Sequence, residues 1–375
     1  MTIRTAPPLP PFRAEQIGSL LRPPRLIEAI RRRQAGTIAA DELAAIQNEA
    51  IDEVIRMQED IGLQCVTDGE FRRVVYYSYF YVDGLGGIDF EEEGEQAWRY
   101  RDRAGRTIGA SLPVVRKRLR WTRPINVADF EYVRARTRRE PKVTLPGPNA
   151  LHFFGGREHI SREAYPRIEA FFDDVIDALK REIRALAAAG CRYIQIDETA
   201  LAKFGDPHIR DTLAARGDSW QELMALYIGN LNRVVAGAPP GMTIGVHLCR
   251  GNRQGYWQAE GGYDLVADSL FNRLAVDNFF MEYDSPRAGD FGPLRFLPKG
   301  KRVVLGLVST KSPELESADA LKRRIEEAAG HVDLDRLALS PQCGFASDFV
   351  GNPLTVEQQI AKLRRVVEVA GAVWG

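Results

Sequence analysis

The sequence predicts an α/β chain that folds as a single (β/α)8 barrel over residues 1–375. The length of 375 residues suits one large barrel with insertions. From residue 141 onwards, short apolar runs alternate with longer amphipathic segments, which indicates strand–helix units of a parallel sheet. No internal repeat or low-complexity segment in the 375 residues favours another architecture.

Eight segments have the length and composition of buried strands. They cover residues 12–17, 63–67, 141–145, 191–196, 242–246, 278–281, 302–307 and 336–339. The first of them is short and the least regular in pattern. Eight strand candidates with intervening helices are the count of a (β/α)8, or TIM, barrel.

Helices are predicted where apolar residues recur three or four positions apart. Ile51, Val54 and Ile55 have this spacing in segment 48–61, and Gly62 is expected to end that helix. The other predicted helices are a segment that begins at the proline pair 23–24 and the segments 162–188, 219–235, 263–274, 318–329 and 356–370.

Residues 71–141 interrupt the alternation directly after the second predicted strand. This stretch begins with an aromatic cluster and continues with glycines and arginine-rich segments. At about seventy residues it is far longer than an ordinary βα loop of two to six. We predict an insertion that covers one face of the barrel or forms a contact in a homo-oligomer. Its aromatic side chains either line a substrate pocket or pack locally; they are Tyr76, Tyr77, Tyr79, Phe80 and Tyr81.

The composition argues against several classes of function. Lys and Arg together number 51, as do Asp and Glu, so no excess charge favours nucleic acid or an acidic membrane surface. No apolar run is long enough to span a bilayer, and the N-terminus lacks the apolar core of a signal peptide. The four cysteines form no CxxC pair, which argues against a disulfide framework or a zinc finger. We expect a cytoplasmic protein that binds neither nucleic acid nor membranes.

Residues that can bind a metal follow the fifth, sixth and eighth predicted strands. Residues two apart in an extended segment point the same way, so His247 and Cys249 can face one ion. Catalytic groups of such barrels lie at the C-terminal ends of the strands, where Glu282 and Cys343 would join them. Nitrogen, sulfur and carboxylate ligands suit Zn²⁺, and a displaceable carboxylate would leave one position for substrate. We therefore predict a catalytic zinc bound by these four residues.

A zinc ion with an exchangeable position suits the activation of a substrate thiol. A free thiol has a pKa of about 8.5 and is mostly protonated at neutral pH, whereas coordination to zinc deprotonates it. The metal could instead activate water for hydrolysis, but sulfur ligands lower its Lewis acidity, and alkyl transfer to a thiolate is the leading prediction. A structural zinc in a non-catalytic protein is an alternative with four fixed protein ligands. Release of Glu282 on addition of a thiol would distinguish the two.

Further polar side chains lie at the predicted strand ends. They are Ser19, Glu70, Asp197, Glu198 and Lys311. Asp197 and Glu198 can cap the following helix, and Glu70 can pair with a neighbouring arginine. Alternatively, these carboxylates bind the ammonium group of a substrate, and the residues themselves leave both roles open.

Six short motifs occur in order along nearly the whole chain. They are Ile17-Gly18-Ser19, Asp68-Gly69-Glu70, the stretch 194–201, His247-Leu248-Cys249, Glu282 and Pro341-Gln342-Cys343-Gly344. This combination resembles the catalytic C-terminal barrel of cobalamin-independent methionine synthase. The resemblance implies that zinc is held by His247, Cys249, Glu282 and Cys343. It also implies that homocysteine joins the zinc through its thiol, that 5-methyltetrahydrofolate donates the methyl group, and that Ser19, Glu70 and Asp197 bind the amino acid.

Two differences from that family affect the prediction. Its full-length members have a second, N-terminal barrel that helps to hold the folate tail and has no counterpart here, so we expect the short, stand-alone branch. Lys311, Ser312 and Pro313 stand where the family has His-Ser-Pro, whose histidine helps to protonate the leaving pterin. A lysine can donate a proton or bind an anion but is a weaker acid than an imidazolium. Lys311 and Asp197 are the catalytic candidates.

The short branch also includes epoxyalkane:coenzyme M transferases, in which a zinc-bound thiolate opens an epoxide. The sulfonate of coenzyme M would suit a cationic Lys311, Arg72 or Arg73. Epoxide opening is therefore the second prediction for the reaction.

Overall fold

Strands alternate with helices along most of the chain, which gives an α/β fold. The structure is a computed structural model that describes residues 10–91, 98–109 and 111–375. Its strands are β1 Cys65–Val66, β2 Ile88–Glu91, β3 Tyr100–Arg101, β4 Thr107–Ile108, β5 Leu112–Val115, β6 Glu140–Pro141, β7 Val143–Pro146, β8 Tyr193–Glu198, β9 Thr243–Leu248, β10 Asn278–Glu282, β11 Arg302–Val308 and β12 Leu337–Pro341. Its helices are α1 Pro24–Gln34, α2 Ala40–Ile61, α3 Val127–Arg134, α4 Ala150–Gly155, α5 Ile168–Ala188, α6 Pro207–Ala215, α7 Trp220–Val235, α8 Ala267–Arg273, α9 Ala318–Ala329 and α10 Val356–Trp374.

Six of the strands form one parallel sheet in which neighbours along the chain are also neighbours in space. The order is β7, β8, β9, β10, β11 and β12, and every pairing is parallel. Strands β1 and β6 form a further parallel pair. Because the strands run in the same direction, their C-terminal ends lie at one edge of the sheet. Asp197, His247 and Glu282 are therefore brought to the same edge.

The observed strands extend one or two residues beyond the predicted ends at β8, β9, β10, β11 and β12. Asp197 pairs with His247 in the register of β8 and β9, so both lie within strands rather than after them. The prediction placed each strand end where apolar residues stop. The ladder of backbone hydrogen bonds continues through the polar residues that follow, because it does not depend on side-chain polarity.

The predicted first strand, 12–17, is reduced to a single bridge. Ala14 pairs in parallel with Leu339 of β12. The carbonyl of Ile17 instead accepts a hydrogen bond from Nε2 of Gln195, at 2.6 Å. The prediction of a full strand was wrong because a side chain satisfies the backbone group that a strand neighbour would otherwise bind.

Each predicted helix has an observed counterpart, but α3, α4 and α6 were not predicted, and several of the predicted helices differ at their starts. Gly62 ends α2 as predicted, with a φ of 98° in the left-handed region that glycine adopts readily. Helix α5 begins at Ile168, later than predicted, because Pro166 disfavours helical backbone in the residue before it. Within the described part of the chain, no helix has both the length and the apolar composition needed to cross a bilayer.

The segment 71–141 forms antiparallel pairs of its own where it is described. Strand β2 pairs with β5 and β3 with β4, whereas α3 packs against α5 and β6. Residues 92–97 and 110 of the segment, like the N-terminal residues 1–9, lie outside the described residues. Its aromatic side chains differ in their surroundings. Phe80 and Tyr81 are buried, and Tyr81 donates to the carbonyl of Gly147 at 2.7 Å, whereas Tyr76 and Tyr77 line cavities.

A buried ion pair lies beneath the strand ends. The Nζ atom of Lys142 and Oε2 of Glu15 are 3.2 Å apart, and neither side chain has exposed area. The hydroxyl of Tyr193 and the thiol of Cys65 also donate to this carboxylate, at 2.8 and 3.0 Å. Lys142 in turn donates to Oε1 of Gln195 at 3.1 Å. Both charges are therefore paired and hydrogen-bonded, as burial requires.

Replacing Lys142 by methionine is expected to lower the free energy of unfolding by about 3 kcal/mol, because the carboxylate of Glu15 would stay buried without its cation. Urea denaturation followed by circular dichroism measures this change. Arg162→Met is the control, because it removes an exposed ion pair with Glu158 and should change the value by less than about 0.5 kcal/mol. Equal losses in the two variants would contradict the prediction.

Candidate metal centre and substrate cleft

One histidine and two cysteines meet at the C-terminal edge of the sheet. His247 is the last residue but one of β9, Cys249 directly follows that strand, and Cys343 lies two residues after the end of β12. The two Sγ atoms are 3.7 Å apart, and Sγ of Cys343 is 3.5 Å from Nε2 of His247. All three side chains are buried, and their ligand atoms lie within 4.8 Å of one another. This group could hold a metal ion.

The two thiols share one hydrogen bond, and it moves their pKa values in opposite directions. The hydrogen bond from Cys343 lowers the pKa of Cys249 below the ordinary value of a thiol, and the same bond, together with burial, raises that of Cys343. Burial would lower the pKa of His247, but its hydrogen bond with Cys249 and that residue's charge outweigh burial and raise it. The amide of Gly251 also donates to Sγ of Cys249, at 3.2 Å. Cys249 is therefore the thiol that loses its proton first.

Glu282 ends β10 beside this group, but its carboxylate is bound to arginines. Oε1 accepts from the amide of Arg250 at 2.7 Å, and Oε2 lies 3.3 Å from the guanidinium of Arg287. Burial raises the pKa of Glu282, but the charges of Lys311, Arg287 and Arg250 outweigh it and lower the pKa to about 2. Among the described residues, the cluster of metal-ligand atoms comprises the histidine and the two cysteines without this anion. Its role as a fourth ligand stays a prediction.

A cleft opens onto the candidate metal group. Ser19, Glu70 and Asp197, the three predicted substrate-binding residues, line it together with the histidine and both cysteines. The structure thus brings together residues from five separate stretches of the chain. Glu282 and Lys311, which the sequence also predicted for the site, are not part of the cleft wall in the described structure.

Glu70 is held in an unusual backbone conformation at the cleft wall. Its φ of 61° lies in the left-handed region, which non-glycine residues adopt only with support from their surroundings. Arg22 donates to its carbonyl at 2.6 Å, and the hydroxyl of Thr144 donates to Oε1 at 2.6 Å. The ion pair predicted as an alternative is present, because Arg73 lies 3.2 Å from Oε1. These contacts fix the direction of the carboxylate.

The two acidic residues at the end of β8 have different surroundings. Glu198 accepts from the amide of Ala200 at 2.9 Å and from Asn149 at 2.8 Å, which is the capping role left open by the sequence. Asp197 accepts from Nε2 of Gln195 at 2.8 Å and faces the cleft. Burial raises the pKa of Asp197 to about 7. Of the two, Asp197 is the one available to a substrate.

A glycine allows Ser19 to lie beside the metal group. A Cβ atom added to Gly344 would be 2.0 Å from Oγ of Ser19, which no side chain could tolerate. The amide of Phe345 donates to the carbonyl of Ser19 at 2.9 Å. The position after Cys343 therefore requires glycine for steric reasons, because any side chain there would collide with Ser19.

Lys311 is close to the candidate metal group without lining the cleft. Its ammonium is buried and has no hydrogen-bond partner within the described residues. Its positive charge lowers the pKa of Glu282. The structure therefore places Lys311 among the charges that act on the metal group.

The cleft contains residues that the sequence analysis missed, above all Lys203 and Phe154. Lys203 is almost fully buried, in a short helical turn, Leu201–Gly205, that follows β8. A lysine surrounded by apolar neighbours soon after Asp197 and Glu198 was the available signal. The sequence did not predict where the side chain of Lys203 points, because so short a turn has no repeating pattern of apolar residues.

An outer chamber adjoins the cleft and shares part of its wall. Residues shared by the two cavities are Tyr76, Tyr100, Phe154, Asn252 and Ser347. The segment 71–141 supplies much of the remaining chamber wall, including Tyr77, Phe90 and Trp98. A molecule in the chamber would therefore reach the candidate metal group past a largely aromatic wall.

Fold and site together define an α/β protein with a candidate metal group and a substrate cleft at the C-terminal edge of its parallel sheet. Residues 12–372 match the family model described as the catalytic domain of cobalamin-independent synthase. The chain belongs to the cobalamin-independent methionine synthase family, which is a family of methyltransferases.

Relatives of this chain support the same family. The YxjH protein of Bacillus subtilis (strain 168) is 42% identical over 368 residues, which cover 97% of this chain and 95% of that protein. The methionine synthase of Pyrococcus abyssi is 26% identical over 337 residues, which cover 90% of this chain and 87% of that protein. A crystal structure from Listeria monocytogenes, assigned to the vitamin-B12 independent methionine synthases, is 30% identical with a TM-score of 0.72 and covers 97% of this chain and 98% of its own.

Proposed function

We propose that the protein is a zinc-dependent thiol methyltransferase that converts homocysteine to methionine, with 5-methyltetrahydrofolate as the methyl donor. The observation that carries the proposal is the spacing of the ligand atoms. Tetrahedral zinc, with Zn–S of about 2.3 Å and Zn–N of about 2.0 Å, would place two sulfurs about 3.8 Å apart and a sulfur and a nitrogen about 3.5 Å apart. The spacings here are 3.7 and 3.5 Å. These two spacings therefore match those of zinc ligands, and all three ligand atoms lie within 4.8 Å of one another.

The candidate metal group and three residues of the cleft wall would act together in this reaction. Bound zinc would supply a Lewis acid that keeps a coordinated substrate thiol deprotonated. His247, Cys249 and Cys343 would hold it, with Glu282 as the fourth, displaceable ligand. Asp197 and Glu70 are placed to bind the substrate ammonium, and the hydroxyl of Ser19 lies at the same wall. The substrate would thus be fixed at both its thiol and its amino group, which orients the sulfur towards a donor.

We further propose that the parallel sheet closes into a (β/α)8 barrel as one domain, with 71–141 as its insertion. Strands β9 and β12 are separated in the sheet by two others, yet His247 and Cys343 approach to 3.5 Å, which requires strong curvature. At the β12 end of the sheet, Ala14 forms a parallel bridge with Leu339, and β1 pairs in parallel with β6 in a separate two-stranded sheet. The composition supports a cytoplasmic location without nucleic-acid or membrane partners, and assembly into a homo-oligomer remains a prediction.

Opening of an epoxide by the zinc-bound thiolate of coenzyme M is the second candidate reaction. The unpartnered ammonium of Lys311 favours it, because that charge could bind a sulfonate. The two arginines considered for this role are already paired: Arg72 lies 2.7 Å from a carboxylate oxygen of Asp129, and Arg73 lies 3.2 Å from Glu70. Methyl transfer therefore leads.

A single-turnover assay on the zinc-loaded protein tests the proposal. Homocysteine is offered with 5-methyltetrahydrofolate in one reaction, and coenzyme M with 1,2-epoxypropane in another. Methionine is expected in the first, and none with the zinc-free protein. Product in the second reaction alone would replace methyl transfer by epoxide opening. No product in either, with zinc retained, would exclude both of these donors.

A further inference from the structure

Lys203 is a buried cation that the mechanism above does not use. Its side chain is almost fully buried and lines the cleft together with the candidate metal group. Its Nζ atom donates to Oε1 of Gln258 at 2.5 Å and lies 5.0 Å from the ring centres of both Phe153 and Phe154. An ammonium has three donors, and within the described residues only the bond to Gln258 uses one. The other two N–H groups have no hydrogen-bond acceptor among the described residues, and the two aromatic rings are their known neighbours.

The surroundings of Lys203 favour an electron-rich partner. Nε2 of Gln258 is buried and has no hydrogen-bond partner in the described structure, so the pair offers donors only. Burial lowers the pKa of Lys203 to about 8, although the charges of Cys249 and Glu198 oppose this change. The ammonium is consequently a stronger acid than that of an exposed lysine while still mostly protonated at neutral pH.

Lys203 also lies on the side from which an alkyl donor would arrive. Phe154, against which its ammonium packs, lines both the cleft and the outer chamber. The acidic side chains that would bind the substrate ammonium, Glu70 and Asp197, line the cleft and are not part of the chamber wall in the described structure. A donor entering through the chamber would thus meet Lys203 as it approaches the substrate sulfur.

We propose that Lys203 is the general acid that protonates the leaving atom of the alkyl donor, with Gln258 holding its ammonium in place. The inference rests on the proposed thiol alkylation and adds the class of donor: one whose leaving atom is an amine nitrogen or an epoxide oxygen. The substrate thiolate forms the new S–C bond with its own electron pair, and the C–N or C–O bond breaks with its pair left on nitrogen or oxygen. The ammonium of Lys203 gives that atom a proton. The neutral amine of Lys203 then regains a proton from solvent.

The role falls to Lys203 rather than Lys311 because of position. Lys203 lines the cleft, whereas Lys311 does not and acts on the metal group through its charge on Glu282. Substituting Lys311 should therefore alter the reactivity of the thiolate towards every donor. Substituting Lys203 should affect only donors whose leaving atom needs a proton.

The test compares donors on zinc-loaded wild type, Lys203→Met and Lys311→Met in single turnover. The donors are 5-methyltetrahydrofolate with homocysteine, 1,2-epoxypropane with coenzyme M, and methyl iodide with homocysteine, whose iodide leaves without a proton. With whichever of the first two donors the wild type uses, the single-turnover rate of Lys203→Met should be lower by about 100-fold or more. With methyl iodide, its rate should be within about threefold of that of the wild type. With homocysteine as the thiol, Lys311→Met should change the reactions with 5-methyltetrahydrofolate and methyl iodide alike. Zinc content and homocysteine affinity, measured by calorimetry, should be unchanged in Lys203→Met.

Three results would overturn the assignment of Lys203. An equal loss with methyl iodide, or a loss of zinc or homocysteine binding, would make Lys203 structural. A donor-selective loss in Lys311→Met alone would move the acid to that residue. A wild type that reacts with methyl iodide alone would remove the leaving-atom role while leaving thiol alkylation intact. Failure with all three donors would instead contradict the proposed function itself and the role of Lys203 with it.

Discussion

Replacing Cys249 by serine is expected to abolish zinc binding and alkyl transfer together. Its sulfur lies 3.7 Å from that of Cys343 in the buried group and accepts a hydrogen bond from the amide of Gly251. It is also the thiol whose pKa is lowered, so it is the first to offer the thiolate that zinc binds. A serine hydroxyl stays protonated at neutral pH and is a poor zinc ligand. Without the metal, the substrate thiol would remain largely protonated, and we expect turnover to fall by at least about 100-fold.

Zinc stoichiometry by atomic absorption and the single-turnover assay measure both effects on the same sample. Cys191→Ser is the matched control, because Cys191 is also a buried free cysteine, and among the described residues its thiol donates to the carbonyl of Tyr193, at 3.5 Å, and to no metal-ligand candidate. The control should keep its zinc and its activity. Full zinc content and full activity in Cys249→Ser would contradict the assignment of the metal site.

Replacing Asp197 by asparagine is expected to raise the KM for homocysteine by about 50-fold, because one hydrogen bond between the substrate ammonium and the carboxylate is lost. Nε2 of Gln195 donates to Oδ1 of Asp197 at 2.8 Å. In the variant, this donor would keep the amide oxygen on its side and turn the amide NH2 group into the cleft. A donor would then face the ammonium of the substrate in place of an anion, although the shape of the side chain is preserved.

A thiol without an amino group separates this effect from a general disturbance of the site. With 4-mercaptobutanoate as acceptor, which lacks only the ammonium, Asp197→Asn should have a KM within about threefold of wild type, because no charged bond is lost. The ratio of the two KM values is thus the measurement. If the substitution weakened both thiols equally, Asp197 would have a structural role instead of binding the ammonium group.

Local features of the sequence determined much of the site. Alternating apolar and amphipathic segments predicted the strands that become β8 to β12, because each pattern follows the period of its own backbone. The two-residue spacing of His247 and Cys249 predicted that both face one ion, and both do join the same group. Ser19, Glu70 and Asp197 were placed at strand ends and now line one cleft. Because the strands are parallel, residues at their C-terminal ends must lie at the same edge of the sheet.

Contacts between distant segments were decided only by the tertiary structure. Cys343 lies 94 residues after Cys249, and the curvature of the sheet, not any local pattern, brings their sulfur atoms to 3.7 Å. The carboxylate of Glu282 is bound by arginines whose directions depend on loop packing. Lys203 lines the cleft from a short helical turn, Leu201–Gly205, which is too short to show a repeating pattern of apolar residues. The sequence by itself determined which residues lie at the strand ends, since backbone periodicity is local. Their distances and partners depended on how the strands and loops pack together.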